Sequence, residues 1–234
     1  MNPLSGFGDD GDRGLQVLWE DGERVFCRDE SHTDGDRAAV LAVLPAAEHP
    51  APATLDRLAR EYELKDELDG AWAVRPLGLV RERGRIMLVL EDTGSEPLHR
   101  LLGVPMEVQS FLRLAIALAA ALTQVHRRGL VHKDIKPGNI LVNRTTGEVK
   151  LTGFGIASCL PRERQAPAPP ESIAGTLAYM APEQTGRMNR CIDSRSDLYA
   201  LGVTFYEMLT GSLPTRWNDC TATSQESQCR PLSG

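Results

Sequence analysis

His132-Lys133-Asp134-Ile135-Lys136-Pro137-Gly138-Asn139, followed by Gly153-Phe154-Gly155, is the stretch on which the reading of this chain turns. It gathers a carboxylate, an amine and a carboxamide into one segment that Pro137 and Gly138 keep out of regular structure. Upstream, the pattern predicts a long helix over 104–128. Its buried stripe would be Val108, Phe111, Leu112, Ala115, Leu118, Ala119 and Leu122. Downstream, two short strands are expected at 140–143 and 149–152, joined by a turn over 145–147. A second strongly apolar helix is expected at 197–209, ended by Gly211.

The first 95 residues have a different texture. Residues 1–14 are Gly/Asp-rich and read as a disordered tail. Two short apolar runs, 15–19 and 24–28, flank Asp21-Gly22 and predict a hairpin. A third strand is expected at 38–44, stopped by Pro45. A helix capped by Thr54 should run to about Leu68, with Leu55, Leu58, Tyr62 and Leu68 on one face. Strands at 72–79 and 86–91, joined by a charged turn, complete a unit of five strands and one helix. The whole is an α+β chain, with a small β-rich part ahead of a helical part. No internal repeat is evident.

Composition narrows the function classes. The chain has 234 residues and 41% hydrophobic residues, enough for two lobes around a cleft. No apolar run reaches the length of a membrane span, and 1–12 has no basic signal-peptide region. The five cysteines are scattered, with no Cys-x-x-Cys pair, which points to reduced thiols and a cytoplasmic setting. The net charge is −6, concentrated in the first hundred residues. Nucleic-acid binding is disfavoured, because a phosphate backbone needs a basic face.

The motifs resemble the signature set of Ser/Thr protein kinases. His132-Lys133-Asp134 resembles the His-Arg-Asp catalytic loop. The resemblance implies Asp134 as the base that accepts a substrate hydroxyl proton, and Lys136 as support for the transferring phosphate. It makes Asn139 a metal and cofactor ligand. Gly175-Thr176 and Tyr179-Met180-Ala181-Pro182-Glu183 resemble the end of the activation segment. Ser196-Asp197-Leu198-Tyr199-Ala200-Leu201-Gly202 resembles the helix whose aspartate pins the catalytic loop. Leu44, Glu61, Leu90 and Glu91 fall at the nucleotide-contacting positions of the small lobe. The implied fold is a bilobal kinase-like fold: N-lobe 15–95 and a partial C-lobe 96–214. Thr152–Ala157 and Pro182–Arg190 further resemble the N-terminal kinase-like domain of large bacterial hybrid sensors, which precedes an ATPase module, a sensor region and a histidine kinase.

Three departures bear on chemistry. Gly153 stands where the magnesium-binding aspartate belongs. Leu44 stands where a strand lysine should pair with the phosphates and Glu61; there is no lysine before Lys65, so Glu61 would lack its partner. The hairpin Glu20-Asp21-Gly22-Glu23 is acidic and is not a glycine-rich phosphate loop. Phosphoryl transfer depends on positioning and electrostatics, so these losses imply weak transfer or none. ATP is thus expected as a weak ligand and magnesium as a doubtful one. The bland readings are that Asp134 and Asn139 persist as loop architecture, and that Lys150 is an exposed strand residue. His126 and His132 are not expected to bind metal. Ser158, Ser172 and Thr176 are candidate phosphosites.

The resemblance fades after Pro214. The polar tail 215–234 reads as an aberrant end, produced by a frameshift. With one choice of codons, 220–231 read one frame over gives His-Ser-His-Ile-Ala-Arg-Lys-Pro-Val-Pro-Pro, similar to the family's continuation. An incomplete C-lobe would leave Glu183 unpaired and expose Val203, Phe205, Met208 and Leu209. Three functions follow as alternatives: a regulatory pseudokinase of a bacterial signalling protein, partnered by other signalling domains; an active Ser/Thr kinase using Asp134; and an interaction scaffold without a nucleotide pocket.

Overall fold

The computed structural model of the protein describes residues 15–29, 40–82, 85–159, 177–185 and 191–214. The expected tails, the turn between the last two strands of the small lobe and most of the loop 158–172 lie outside them, as do Ser172 and Thr176.

The small lobe is a five-stranded antiparallel sheet ordered β1-β2-β3-β5-β4. Its strands are β1 (Leu15–Glu20), β2 (Arg24–Asp29), β3 (Val40–Pro45), β4 (Pro76–Glu82) and β5 (Arg85–Glu91). Asp21 makes the first turn, its Oδ1 accepting from the Glu23 and Arg24 N–H groups at 3.1 and 2.8 Å. Helix α1 (Pro52–Glu63) starts earlier than Thr54 because Pro52 presets its first turn. It ends earlier too, although Leu64 and Leu68 remain in the core. The strand expected from 72 begins only at Pro76. Trp72 and Val74 pair instead with the other lobe: the Leu151 N–H donates to the Trp72 carbonyl and the Val74 N–H to the Leu151 carbonyl, both at 2.9 Å.

The second lobe is built around α2 (Val108–Arg127) and α3 (Ser194–Thr210). It also holds a sheet of β6 (Glu96–Pro97), β8 (Ile140–Val142) and β9 (Val149–Leu151), and a pair of β7 (Leu130–Val131) with β10 (Ser158–Cys159). Glu107 caps α2, accepting from the Gln109 and Ser110 N–H groups, each at 2.8 Å. Gly211, at φ +74°, closes α3 in the left-handed conformation.

Helix α2 is apolar on more than one side. The core takes Ala115, Leu118, Ala121, Leu122 and Val125. Val108, Leu112 and Ala119, expected inside, are exposed. Ile116 is 70% exposed beside them. This is the one helix among the described residues long and apolar enough to cross a membrane, and its inner stripe is packed into the core. The expected exposure of α3 holds only for Leu209. Val203 and Met208 are buried, and Phe205 packs edge-on against Phe111 at 5.5 Å.

Candidate active-site cleft

Helix α3 fixes the loop 132–139. Asp197, fully buried at the helix start, accepts from the His132 N–H at 2.9 Å and the Lys133 N–H at 2.7 Å. It also bonds His126 Nε2 at 2.9 Å. These bonds hold Lys133 at φ +69°, a conformation a side chain other than glycine rarely adopts. His132 is locked as well: its Nε2 faces the Thr152 carbonyl at 3.0 Å, and its Nδ1 receives the Asp134 N–H at 3.2 Å. A carbonyl only accepts and a backbone N–H only donates, so the proton is on Nε2. Gln184 adds a tie, donating to the Lys133 carbonyl at 2.8 Å.

Within that frame, Asp134, Lys136 and Asn139 lie together. Lys136 Nζ is 3.4 Å from Asp134 Oδ2. Asn139 is completely buried, and its amide nitrogen donates to both the Asp134 carbonyl and Asp134 Oδ2 at 2.8 Å. Its Oδ1, the atom a metal would need, is already engaged: it accepts from Arg24 Nη2 at 2.7 Å. Arg24 reaches in from β2, also held by Asp21 through Nε at 2.9 Å and Nη2 at 2.5 Å. Burial pushes the Arg24 pKa down, but the charges of Asp21, Glu61 and Asp134 outweigh it and hold Arg24 cationic.

Gly153 is more than a missing carboxylate. It sits at φ +82°, and a Cβ built there would lie 2.6 Å from Asn139 Cγ and Oδ1. The neighbouring Gly155 is equally constrained, since its Cβ would meet the Arg57 backbone at 2.8 Å where α1 crosses the loop. Glu61 was expected to lack a partner. Instead its buried carboxylate accepts from the Gly153 N–H at 2.7 Å and the Thr152 hydroxyl at 3.3 Å. A backbone donor has replaced the strand lysine as its partner.

Other positions differ from expectation. Leu44 does not face the cleft. It packs with Cys27, Val40, Ala42 and Val89 on the outer face of the sheet, while Leu41 and Val43 share the inner cluster with Leu58, Leu90 and Leu141. With a period of two, a one-residue shift in placing the lysine position swaps faces. Leu90 is fully buried in the inner cluster, and Glu91 is half-buried and paired with Arg75 at 3.0 Å. Lys150, expected to be exposed, is buried and pairs with Glu148 at 3.4 Å. Glu183, expected to be unpaired, accepts from the Ser196 hydroxyl at 2.7 Å.

Trp19 and Phe26 stack at 4.2 Å and join the inner cluster with Leu90 and Leu141, filling the roof of the cleft with aromatic bulk. The cavity beside Arg24, Glu61, Asp134, Lys136 and Gly153 measures about 30 Å³. That is room for one or two waters. A larger opening of about 510 Å³ lies outside it, between Trp19, Arg28, Gly94–Glu96 and Asn143–Thr146. Arg24 lies outside every motif, because the cation that the resemblance implies is a lysine on β3. The available signal was strand alternation, which places Arg24, Phe26 and Arg28 on one face of β2.

Asp21 gives the cleft a pH dependence. Burial pushes its carboxyl up, but the Arg24 and Lys136 charges outweigh this and hold it below the ordinary carboxylate range. A depressed folded pKa stabilises above the unfolded value, near 4, and that contribution is lost as pH falls through the folded value. Asp21→Asn should therefore flatten the fall in stability below about pH 4, by up to one proton's worth of slope. Urea unfolding across acid pH checks this; an unchanged slope would contradict it.

The two lobes, the pinned catalytic loop and the glutamate of α1 on the Gly-Phe-Gly turn define a protein kinase fold. The chain belongs to the protein kinase domain family, which it matches over residues 31–232. It is 38% identical to the serine/threonine-protein kinase Pkn1 of Myxococcus xanthus over 63% of this chain and 21% of that protein. It is 32% identical to pkn3 of the same organism over 76% of this chain and 34% of that protein. A probable serine/threonine-protein kinase PknB of Bifidobacterium longum is 40% identical over 44% of this chain and 14% of that protein. The chain thus spans about a fifth to a third of the length of the two Myxococcus relatives. Family membership implies ATP and magnesium in general. At the two positions the resemblance assigns to the metal, Asn139 Oδ1 accepts from Arg24 and Gly153 offers no side-chain oxygen.

Proposed function

We propose that this chain is a kinase-fold regulatory module, a pseudokinase of a bacterial signalling protein, with other signalling domains or proteins as its partners. The observation that carries this reading is the Arg24–Asn139 bond at 2.7 Å beside Gly153. Magnesium neutralises phosphate charge as transfer proceeds, and here its two protein ligands are an occupied amide and a glycine. The filled roof over Leu141 supports the same reading. Cytoplasmic placement accords with the scattered thiols of Cys27, Cys159 and Cys191, which form no disulfide with one another.

The second reading is an active Ser/Thr kinase with Asp134 as base. It is favoured by the retained Asp134–Lys136–Asn139 set, by the names of the relatives, and by the 510 Å³ opening beside Gly94–Glu96. Phosphate transfer from magnesium–ATP, with Asp134→Ala as control, separates the two. ATP binding with and without magnesium then separates a nucleotide-sensing pseudokinase, indifferent to the ion, from a scaffold that binds no nucleotide.

A further inference from the structure

We propose that Arg24 is a built-in cation occupying the position a kinase fold reserves for its metal, so that this cleft closes without a divalent ion. The inference rests on the pseudokinase reading and deepens it.

The geometry is that of a cation between oxygen ligands. A single nitrogen, Arg24 Nη2, lies 2.5 Å from Asp21 Oδ2 and 2.7 Å from Asn139 Oδ1. The Asn139 amide nitrogen in turn bonds Asp134 Oδ2 at 2.8 Å. The guanidinium thus gathers the hairpin carboxylate and the catalytic-loop amide, which belong to different lobes. Charge agrees with geometry: Asp21, Glu61 and Asp134 are the acidic groups acting on Arg24, a density of negative charge that must be met by a cation.

Gly153 supplies an independent observation. Asn139 Cγ, Oδ1 and Nδ2 all lie within 2.7 Å of where a residue-153 Cβ would stand. The amide is therefore turned into the volume that a metal-binding aspartate would use, and its Oδ1 is presented to Arg24. The glycine and the arginine are parts of one arrangement: the first makes room for the amide, and the second takes its oxygen. Arginine suits this role because it stays charged when buried and can serve two acceptors in fixed directions.

The test uses Mn²⁺ as the probe, with bound ion measured by electron paramagnetic resonance on the full chain. Wild type is expected to retain no Mn²⁺ at millimolar concentration. Arg24→Ala frees the Asp21 carboxylate and Asn139 Oδ1 beside Asp134, a hard-oxygen set, and should bind one Mn²⁺ at least tenfold more tightly. Adding Asp21→Asn should abolish that gain. Circular dichroism confirms that each variant is folded; if Arg24→Ala is not, Arg24→Gln, similar in length and uncharged, replaces it. The proposal is overturned by wild-type Mn²⁺ binding that Asn139→Ala removes, or by a folded Arg24 variant that binds no better than wild type. Phosphate transfer by a wild-type chain that retains no Mn²⁺ would contradict the pseudokinase reading and leave the role of Arg24 standing. Retention without transfer would do the reverse.

Discussion

Replacing Asp197 with alanine is expected to destabilise the domain by about 3–5 kcal/mol. The carboxylate is fully buried and is the shared acceptor for the His132 and Lys133 N–H groups and the His126 ring. Truncation leaves two backbone donors without their acceptor, each costing about 1–3 kcal/mol. It also releases Lys133 from its left-handed conformation. Urea unfolding should show the loss as a lowered midpoint. Hydrogen exchange should show it locally, as lost protection at the His132 and Lys133 amides. Asp197→Asn should fall between wild type and alanine, because an amide keeps one acceptor oxygen. A loss under about 1 kcal/mol for the alanine variant would mean that the catalytic loop is held by something else.

Gly153→Asp, the substitution that would restore the family's metal-binding motif, is expected to do harm. A non-glycine residue at φ +82° carries about 1–3 kcal/mol of backbone strain. Its Cβ also collides with the Asn139 amide, and that amide is held by Asp134 and Arg24 and cannot simply turn away. Overpacking of this kind adds about 1–3 kcal/mol. The variant should therefore be less stable than wild type by about 2–6 kcal/mol in urea unfolding, and should gain no phosphate transfer. Restoring the letter of the motif does not restore the site, because the neighbours have closed around the glycine. A variant as stable as wild type that acquires magnesium-dependent transfer would show that the closure is easily reversed.

Much of the fold was legible because its signals are local. The catalytic-loop stretch, the two apolar helices and the Asp21-Gly22 hairpin each follow from spacing and turn chemistry. What was not legible is what long-range contact decides. Trp72–Val74 reads as strand but is claimed by Leu151 of the other lobe. Leu44 was set in the lysine's place by the resemblance, and a shift of one residue along the strand puts it on the opposite face from Leu41 and Val43. Helix α2 is apolar around more of its circumference than its core contact needs, so periodicity overcounted its buried stripe. In the cleft, the retained residues Asp134, Lys136 and Asn139 and the substituted Gly153 were visible as motif letters. Arg24 was not, because its role depends on a hairpin folding over a loop more than a hundred residues away. Glu61 is not stranded because the Gly153 N–H and the Thr152 hydroxyl, both distant in sequence, supply its donors.

The most direct test is transfer of the γ-phosphate from magnesium–ATP, to the chain itself and to a generic protein substrate, read by intact mass for wild type and Asp134→Ala side by side. A cleft closed by Arg24 predicts that wild type gains no more phosphate than the variant. Magnesium-dependent phosphorylation by wild type that disappears in Asp134→Ala would contradict the account.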